Sequence, residues 1–204
     1  MSEEADSLRE RLITVARTLF VTKGYNATTT REINAVAGTA GGLLYYYFPH
    51  GKRQLLDTII RDGVAGRMAK VQIQLNQASD VSGIEAALMK TFDQIWIVFS
   101  AEASYQSFII TIRERALLSA EQSGWLAKLL NKIVVQLTNE LATVRSILPG
   151  LKKSDCVTFA RMILALFQKS LYDELLIANH RQPSAETRVQ VKASLHLLLG
   201  MAIR

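Results

Sequence analysis

The stretch TTREINAVAGTAGGLLYYYFPHGK, from Thr29 to Lys52, constrains this chain more than any other. Thr29 and Glu32 have the S/T-x-x-E spacing of a capping box, in which hydroxyl and carboxylate each satisfy a free backbone N–H at a helix start. The spacing predicts a helix from near Thr30. Ile33, Val36 and Ala37 recur three and four residues apart, which gives that helix one apolar face. Gly38 ends it, because glycine takes the left-handed conformation without a Cβ clash. After Thr39 and Ala40 a second helix carries Leu44, Tyr47 and Phe48 inward, with Gly41, Gly42, Leu43, Tyr45 and Tyr46 nearer the outer face. Pro49 stops it.

Before this pair, Leu8, Leu12, Ile13, Val15, Ala16, Leu19 and Phe20 form an apolar stripe over residues 7–23, closed by Lys23-Gly24. Packed across the pair, this helix makes a three-helix unit of the kind that sets a short helix into a major groove about 12 Å wide. After it, Lys52 opens a helix expected to run through Ile59 and Met68 toward Leu75, and Ser79–Gly83 is a turn cluster. Helical spacing then continues over 84–99, 105–118 and 121–147, the last closed by Pro149-Gly150. Ser154-Asp155 is read as the cap of a long helix, and Pro183-Ser184 as the start of the last. Both of these are apolar over more than one face, so each needs two partners: the core and, most simply, a second copy of the chain. A large monomeric core is the bland alternative.

No strand pattern of any length is read from the sequence. The expectation is an all-α chain in two parts, 1–51 as a helix-turn-helix domain and 52–204 as a helical bundle.

The chain has 204 residues, of which 49% are hydrophobic and 21% charged, enough for a substantial core. Its single cysteine, Cys156, lies in an apolar helical pattern and is read as a buried structural residue, consistent with a reducing compartment. The acidic start MSEEADSLRERL has no secretory pattern, and no apolar run approaches the roughly 18–20 residues of a membrane span. A soluble cytoplasmic protein that makes no membrane contact is expected. The formal charge of +6 suits a polyanionic partner, yet residues 1–60 hold seven Lys and Arg against six Asp and Glu. A nucleic-acid role therefore rests on the motif and not on bulk charge.

Nothing in the sequence assembles an enzyme, and neither a metal nor a cofactor is expected. His50, His180 and His196 are far apart and lack metal-ligand spacing. Gly38, Gly41 and Gly42 follow no strand, and no G-K-[ST] completes a phosphate loop.

ARTLF at 16–20, KGY at 23–25, TTREI at 29–33, AG at 37–38, LYYYF at 44–48 and GKRQLL at 51–56 together resemble the N-terminal domain of the TetR family of transcriptional regulators. FPHGK resembles the subgroup that includes multidrug- and flavonoid-responsive repressors. The resemblance implies phosphate contacts from Thr30, Arg31, Lys52, Tyr45 and Tyr47, with Tyr46 reaching further into the groove. Gly41 and Gly42 would let the backbone approach DNA, and Leu43 would touch a thymine methyl. The plain alternative is that the tyrosines cover the small domain's core. Where family members often carry polar side chains, Ala40, Gly41 and Leu43 have none, so the operator sequence does not follow from the resemblance.

The family also places an effector cavity in the second domain, for which Trp96, Phe99, Tyr105, Phe108, Trp125, Phe159, Met162 and Phe167 are the candidate lining. Gln106, Arg113 and Gln168 are its candidate polar anchors. Each aromatic or methionine at such spacing also fits a plain core. The resemblance implies a repressor that binds a palindromic operator as a homodimer through its last two helices. A small apolar or aromatic effector would release it. A non-enzymatic scaffold, an activator and a regulator without a ligand are the alternatives.

Overall fold

The computed structural model describes residues 2–68, 70–117 and 120–204; the side chains of 2–6, 64–67, 117, 120–123, 125 and 126 fall outside that description. The described residues are helical and contain no strand: α1 (Ser2–Lys23), α2 (Thr30–Ala37), α3 (Leu43–Tyr47), α4 (Gly51–Met68), α5 (Val81–Ser100), α6 (Glu102–Arg113), α7 (Ala120–Thr143), α8 (Cys156–Leu171) and α9 (Ala185–Ile203). No single helix among them is long and apolar enough to cross a membrane. The chain forms two compact units, Met1–Ala69 with Ala101–Trp125, and Lys70–Ser100 with Leu126–Arg204.

In the first unit the stripe of α1 does what its spacing predicts. Leu12, Ile13, Ala16, Leu19 and Phe20 are buried against Ile33 and Ala37 of α2, Leu44 of α3, Phe48, and Leu55, Leu56, Ile59 and Ile60 of α4. Ile110 of α6 completes this core. The sequence expectation put a boundary after residue 51 and gave α6 to the second part. The compact unit built around α1 also takes in α4 and α6. The cause lies at Gly63, where a Cβ would stand 2.5 Å from Ser107 Cβ, so only glycine lets α6 come this close. Ser104 Oγ donates to the Gly63 carbonyl at 2.7 Å, and Ser107 and Thr111 hydroxyls return to carbonyls of their own helix. A stripe of small, internally satisfied polar residues thus replaces an apolar seam.

The second unit holds α5, α7 from residue 126, α8 and α9. Its core includes Leu88, Phe92, Trp96, Leu137, Leu141, Ile163, Phe167, Val191, Leu195 and Leu199. The expected helix through Leu75 is corrected here: α4 ends at Met68, and residues 71–75 are non-helical with Val71, Ile73 and Leu75 buried and Gln72 and Gln74 exposed. Side chains alternate faces along an extended chain, so VQIQL follows a period of two. Glu140 holds the end of this segment by accepting from Leu75 N at 2.7 Å.

Two more expectations change. Asp155 makes no side-chain cap on α8, which is entered through a 3-10 turn, Lys153–Asp155. Beyond Leu171 the helix widens into a π-helical stretch, Tyr172–Ile177, before the chain turns back. The last helix starts at Ser184 as expected, and the Ser184 hydroxyl caps it by accepting from Thr187 N at 3.0 Å.

Candidate nucleic-acid interface

The turn between α2 and α3 is set by local chemistry. Thr29 Oγ1 accepts from Glu32 N at 3.1 Å, and Gly38 at φ 63° ends α2 in the left-handed region. Only half of the expected capping box forms, because the Glu32 carboxylate pairs with Lys23 instead of returning to the backbone. Val36 is corrected as well. It is 61% exposed, and the inward place on α2 belongs to Asn34.

Asn34 is the residue that the sequence reading missed. Its Nδ2 donates to Thr30 O at 3.0 Å and Gly41 O at 3.2 Å, while its Oδ1 accepts from Thr39 Oγ1 at 2.8 Å. Thr39 N donates to Asn34 O at 2.9 Å. One buried amide therefore ties the start of α2, the turn and the approach to α3 into one rigid piece. A polar residue in a helix face gives no sequence signal of this kind, since its partners are fixed only after the turn closes.

The outer face of α3 is built by elimination. Leu44 is fully buried and Tyr47 half-buried, so at 100° per residue Gly42, Tyr45 and Tyr46 point outward, while Leu43, half-buried like Tyr47, lies at the edge of that face. Tyr46 is 77% exposed and stands against the edge of Tyr47, ring centroids 5.0 Å apart. Tyr45, 51% exposed, reaches back over Gly51. Thr30, Arg31, Asn34, Ala35, Thr39 and Gly41 line an adjoining open groove of about 370 Å³. The structure thus brings Thr30, Arg31, Gly41, Gly42, Leu43, Tyr45 and Tyr46 to one surface of the unit, with Tyr47 behind as a prop.

Lys52 is placed differently from the expectation. Its ammonium donates to Tyr25 O at 2.8 Å and Thr28 O at 2.7 Å and lies 4.2 Å from the centre of the Tyr25 ring. Burial pushes its pKa below the ordinary lysine value, and the charge of Glu114 partly opposes this. Two of its three donors hold the loop between α1 and α2, so its first role is to fix that loop.

The candidate effector residues divide between the units. Tyr105 and Phe108 are half-buried on α6. Arg113, proposed as a polar anchor, instead donates from Nη1 to Val21 O at 2.8 Å and from Nη2 to Phe20 O, which satisfies the open carbonyls at the end of α1. Its neighbour Glu114 accepts from Tyr25 N at 3.2 Å. In the second unit Trp96 and Phe167 pack on Phe92, with centroids 5.9 and 5.3 Å away, and Trp96 Nε1 donates to Arg181 O at 3.1 Å. Phe99 and Phe159 are buried. Met162 is corrected: it is 44% exposed, because the buried face of α8 runs through Phe159, Ile163 and Phe167. Gln168 is exposed, Gln106 bonds to Glu102 at 2.6 Å, and the Trp125 side chain lies outside the described residues.

Residues 12–59 match the family model of bacterial regulatory proteins, tetR family. The HTH-type transcriptional repressor KstR2 of Rhodococcus jostii is 32% identical over 99 residues, 48% of this chain and 48% of that protein. The chain spans about half the length of the curated relatives it matches. A putative TetR-family transcriptional regulator from Syntrophomonas wolfei superposes with a TM-score of 0.67 at 19% identity, covering 96% of each chain. A SmeT–triclosan complex gives 0.62 at 19% identity, over 97% of this chain and 90% of that one. The matched family and the named relatives are transcriptional regulators and not enzymes. The chain therefore carries the N-terminal domain of the TetR family, within an all-helical fold shared with TetR-family regulators along nearly its whole length.

Proposed function

We propose that this protein is a cytoplasmic transcriptional repressor that binds a palindromic DNA operator as a homodimer and leaves it when a small apolar or aromatic molecule binds. The observation that carries the reading is the outer face of α3, where exposed Tyr46 and bare Gly42 are held on a turn braced by Asn34. Thr30 and Arg31, at the positive end of α2, are the proposed phosphate contacts, with Tyr45 beside them and the third donor of Lys52 at the loop.

Dimerisation is supported by α9. Val189, Leu197 and Met201 are 68%, 70% and 66% exposed, and with Ala193 they form a line at four-residue spacing that the chain itself leaves uncovered. In the proposed division of labour residues 1–51 read DNA and residues 52–204 dimerise and sense the effector. The buried aromatic group Phe92, Trp96 and Phe167 supports an apolar effector site in the second unit, as does the similarity to SmeT, whose structure holds triclosan. An effector needs only a different affinity for two states whose reading heads are differently spaced, against half-sites roughly 34–36 Å apart.

Selection of bound sequences from random duplex DNA tests the reading. A recovered palindrome whose affinity falls steeply with salt is the expected result. A protein that sediments as one copy, or that retains no duplex at low ionic strength, overturns it.

A further inference from the structure

Resting on the reading of the first unit as a DNA reader, we infer that its recognition surface selects thymine by its 5-methyl group, through Leu43 and Tyr46, and reads no guanine by a charged side chain from α3. Between Ile33 and Pro49 the sequence holds no Lys, Arg, Asp or Glu and one amide, Asn34. Direct reading of guanine uses Arg or Lys, of adenine Asn or Gln, and of cytosine Asp or Glu. The Asn34 amide is spent inside the fold, on Thr30 O, Gly41 O and Thr39 Oγ1, and the Thr39 hydroxyl is spent on Asn34. What the outer face of α3 offers a base edge is therefore apolar surface and tyrosine hydroxyl.

Thymine is the base that answers this pair of groups. Its C5-methyl projects into the major groove beside the O4 acceptor, which suits an apolar side chain next to a hydroxyl donor. Bare Gly42 lies one turn before exposed Tyr46 on the same outward line, and half-buried Leu43 stands at the edge of that line. A Cβ at Gly41 or Gly42 would meet nothing within 4 Å, so the fold does not demand glycine at either position. Their smallness lets a base edge approach the helix closely enough for a methyl contact. The cationic groups near this surface, Arg31, Lys52 and Arg53, sit at the starts of α2 and α4 and not on α3. That arrangement suits phosphates at the rim and an uncharged centre.

The test takes the duplex recovered by selection and replaces thymine with deoxyuridine one position at a time, which removes only the methyl. Binding of the full-length protein is read by fluorescence anisotropy at fixed salt. At one or more thymines in each half-site the affinity should fall about three- to fivefold, the effect of exposing one buried methyl. In Leu43→Ala the ratio of thymine to uracil affinity at that position should collapse to about one, and Tyr46→Ala supplies a second variant should Leu43→Ala fold poorly. Replacing guanines facing α3 with 7-deazaguanine should change affinity less than about twofold.

Unchanged binding when every thymine is replaced overturns the inference while leaving DNA binding intact. So does a loss of about tenfold or more on removing a guanine N7 that faces α3, because that is the signature of a cationic reader. Failure to bind any duplex sinks the underlying reading instead, and the inference with it.

Discussion

Asn34 shows how much of this site depends on a single side chain. Replacing it with alanine removes the side-chain donor from the Gly41 carbonyl and takes the better of two acceptors from the Thr39 hydroxyl, which keeps only Asn34 O at 3.3 Å. Asn34→Ala should cost about 2–3 kcal/mol in urea unfolding, as expected for buried polar groups losing their partner. Two neighbouring glycines should behave in opposite ways. Gly38→Ala forces a Cβ into φ 63° and should lower stability by about 1 kcal/mol, whereas Gly41→Ala meets open space and should leave the melting curve unchanged. Equal melting shifts in the two variants would contradict the assignment of Gly38 as the residue that ends α2.

The sequence showed the start and end of α2 because caps and left-handed glycines act within three or four residues. Val36 was assigned to the wrong face and Asn34 was not singled out, since eight residues leave two nearly equivalent ways to turn a helix. Only closure of the turn around the Asn34 amide separates them.

At the level of elements, the packing of α6 on α4 reverses the usual ranking of glycine and alanine. In an exposed helix Gly→Ala gains about 1 kcal/mol. Gly63→Ala should instead destabilise by about 2 kcal/mol or more, as overpacking does, because its Cβ would collide with Ser107. Ser107→Gly in the same chain should recover much of that loss, and a thermal shift series of the three variants checks it. If Gly63→Ala alone raises the melting temperature, the close approach of the two helices is wrong.

The join between α8 and α9 carries a pH signature. Glu174, buried at the π-helical stretch, accepts from the Thr187 hydroxyl, from Ser184 Oγ at 2.9 Å and from the His180 ring at 2.9 Å. The Thr187 bond first, then those of Ser184 and His180, hold its pKa below the ordinary carboxylate value against the opposing effect of burial. A carboxylate with a lowered folded pKa stabilises the fold above its unfolded value of about 4.3, and that stability is lost as pH falls through the folded value. Thr187→Val should therefore reduce stability at pH 7 and flatten its decline in acid, measured as melting temperature against pH. An unchanged slope would show that Glu174 is not the group responsible.

Across the whole molecule, the line of exposed apolar residues on α9 is the proposed contact with a second copy of the chain. Leu197 is 70% exposed, so Leu197→Arg should leave the folded unit intact while shifting sedimentation from two copies to one. Its helical signal by circular dichroism should stay at the parent level, and a variant that remains dimeric counts against α9 as the contact.

What the sequence determined by itself was the all-helical character, the cap of α2, the start of α9, the core stripe of α1 and the identity of the N-terminal domain, because each is written in spacings of a few residues. The end of α4 was also legible in VQIQL, where burial alternates, but five residues were too few to interrupt a helical reading. The tertiary structure decided the rest: that α6 packs with α1 and α4, that Lys52 and Arg113 spend their charges on backbone carbonyls, and that Met162 faces outward. The donors and acceptors of those contacts lie 24 to 93 residues apart in the chain. A long flexible cation takes whichever open carbonyl folding leaves within its reach, and no local pattern records which one that will be.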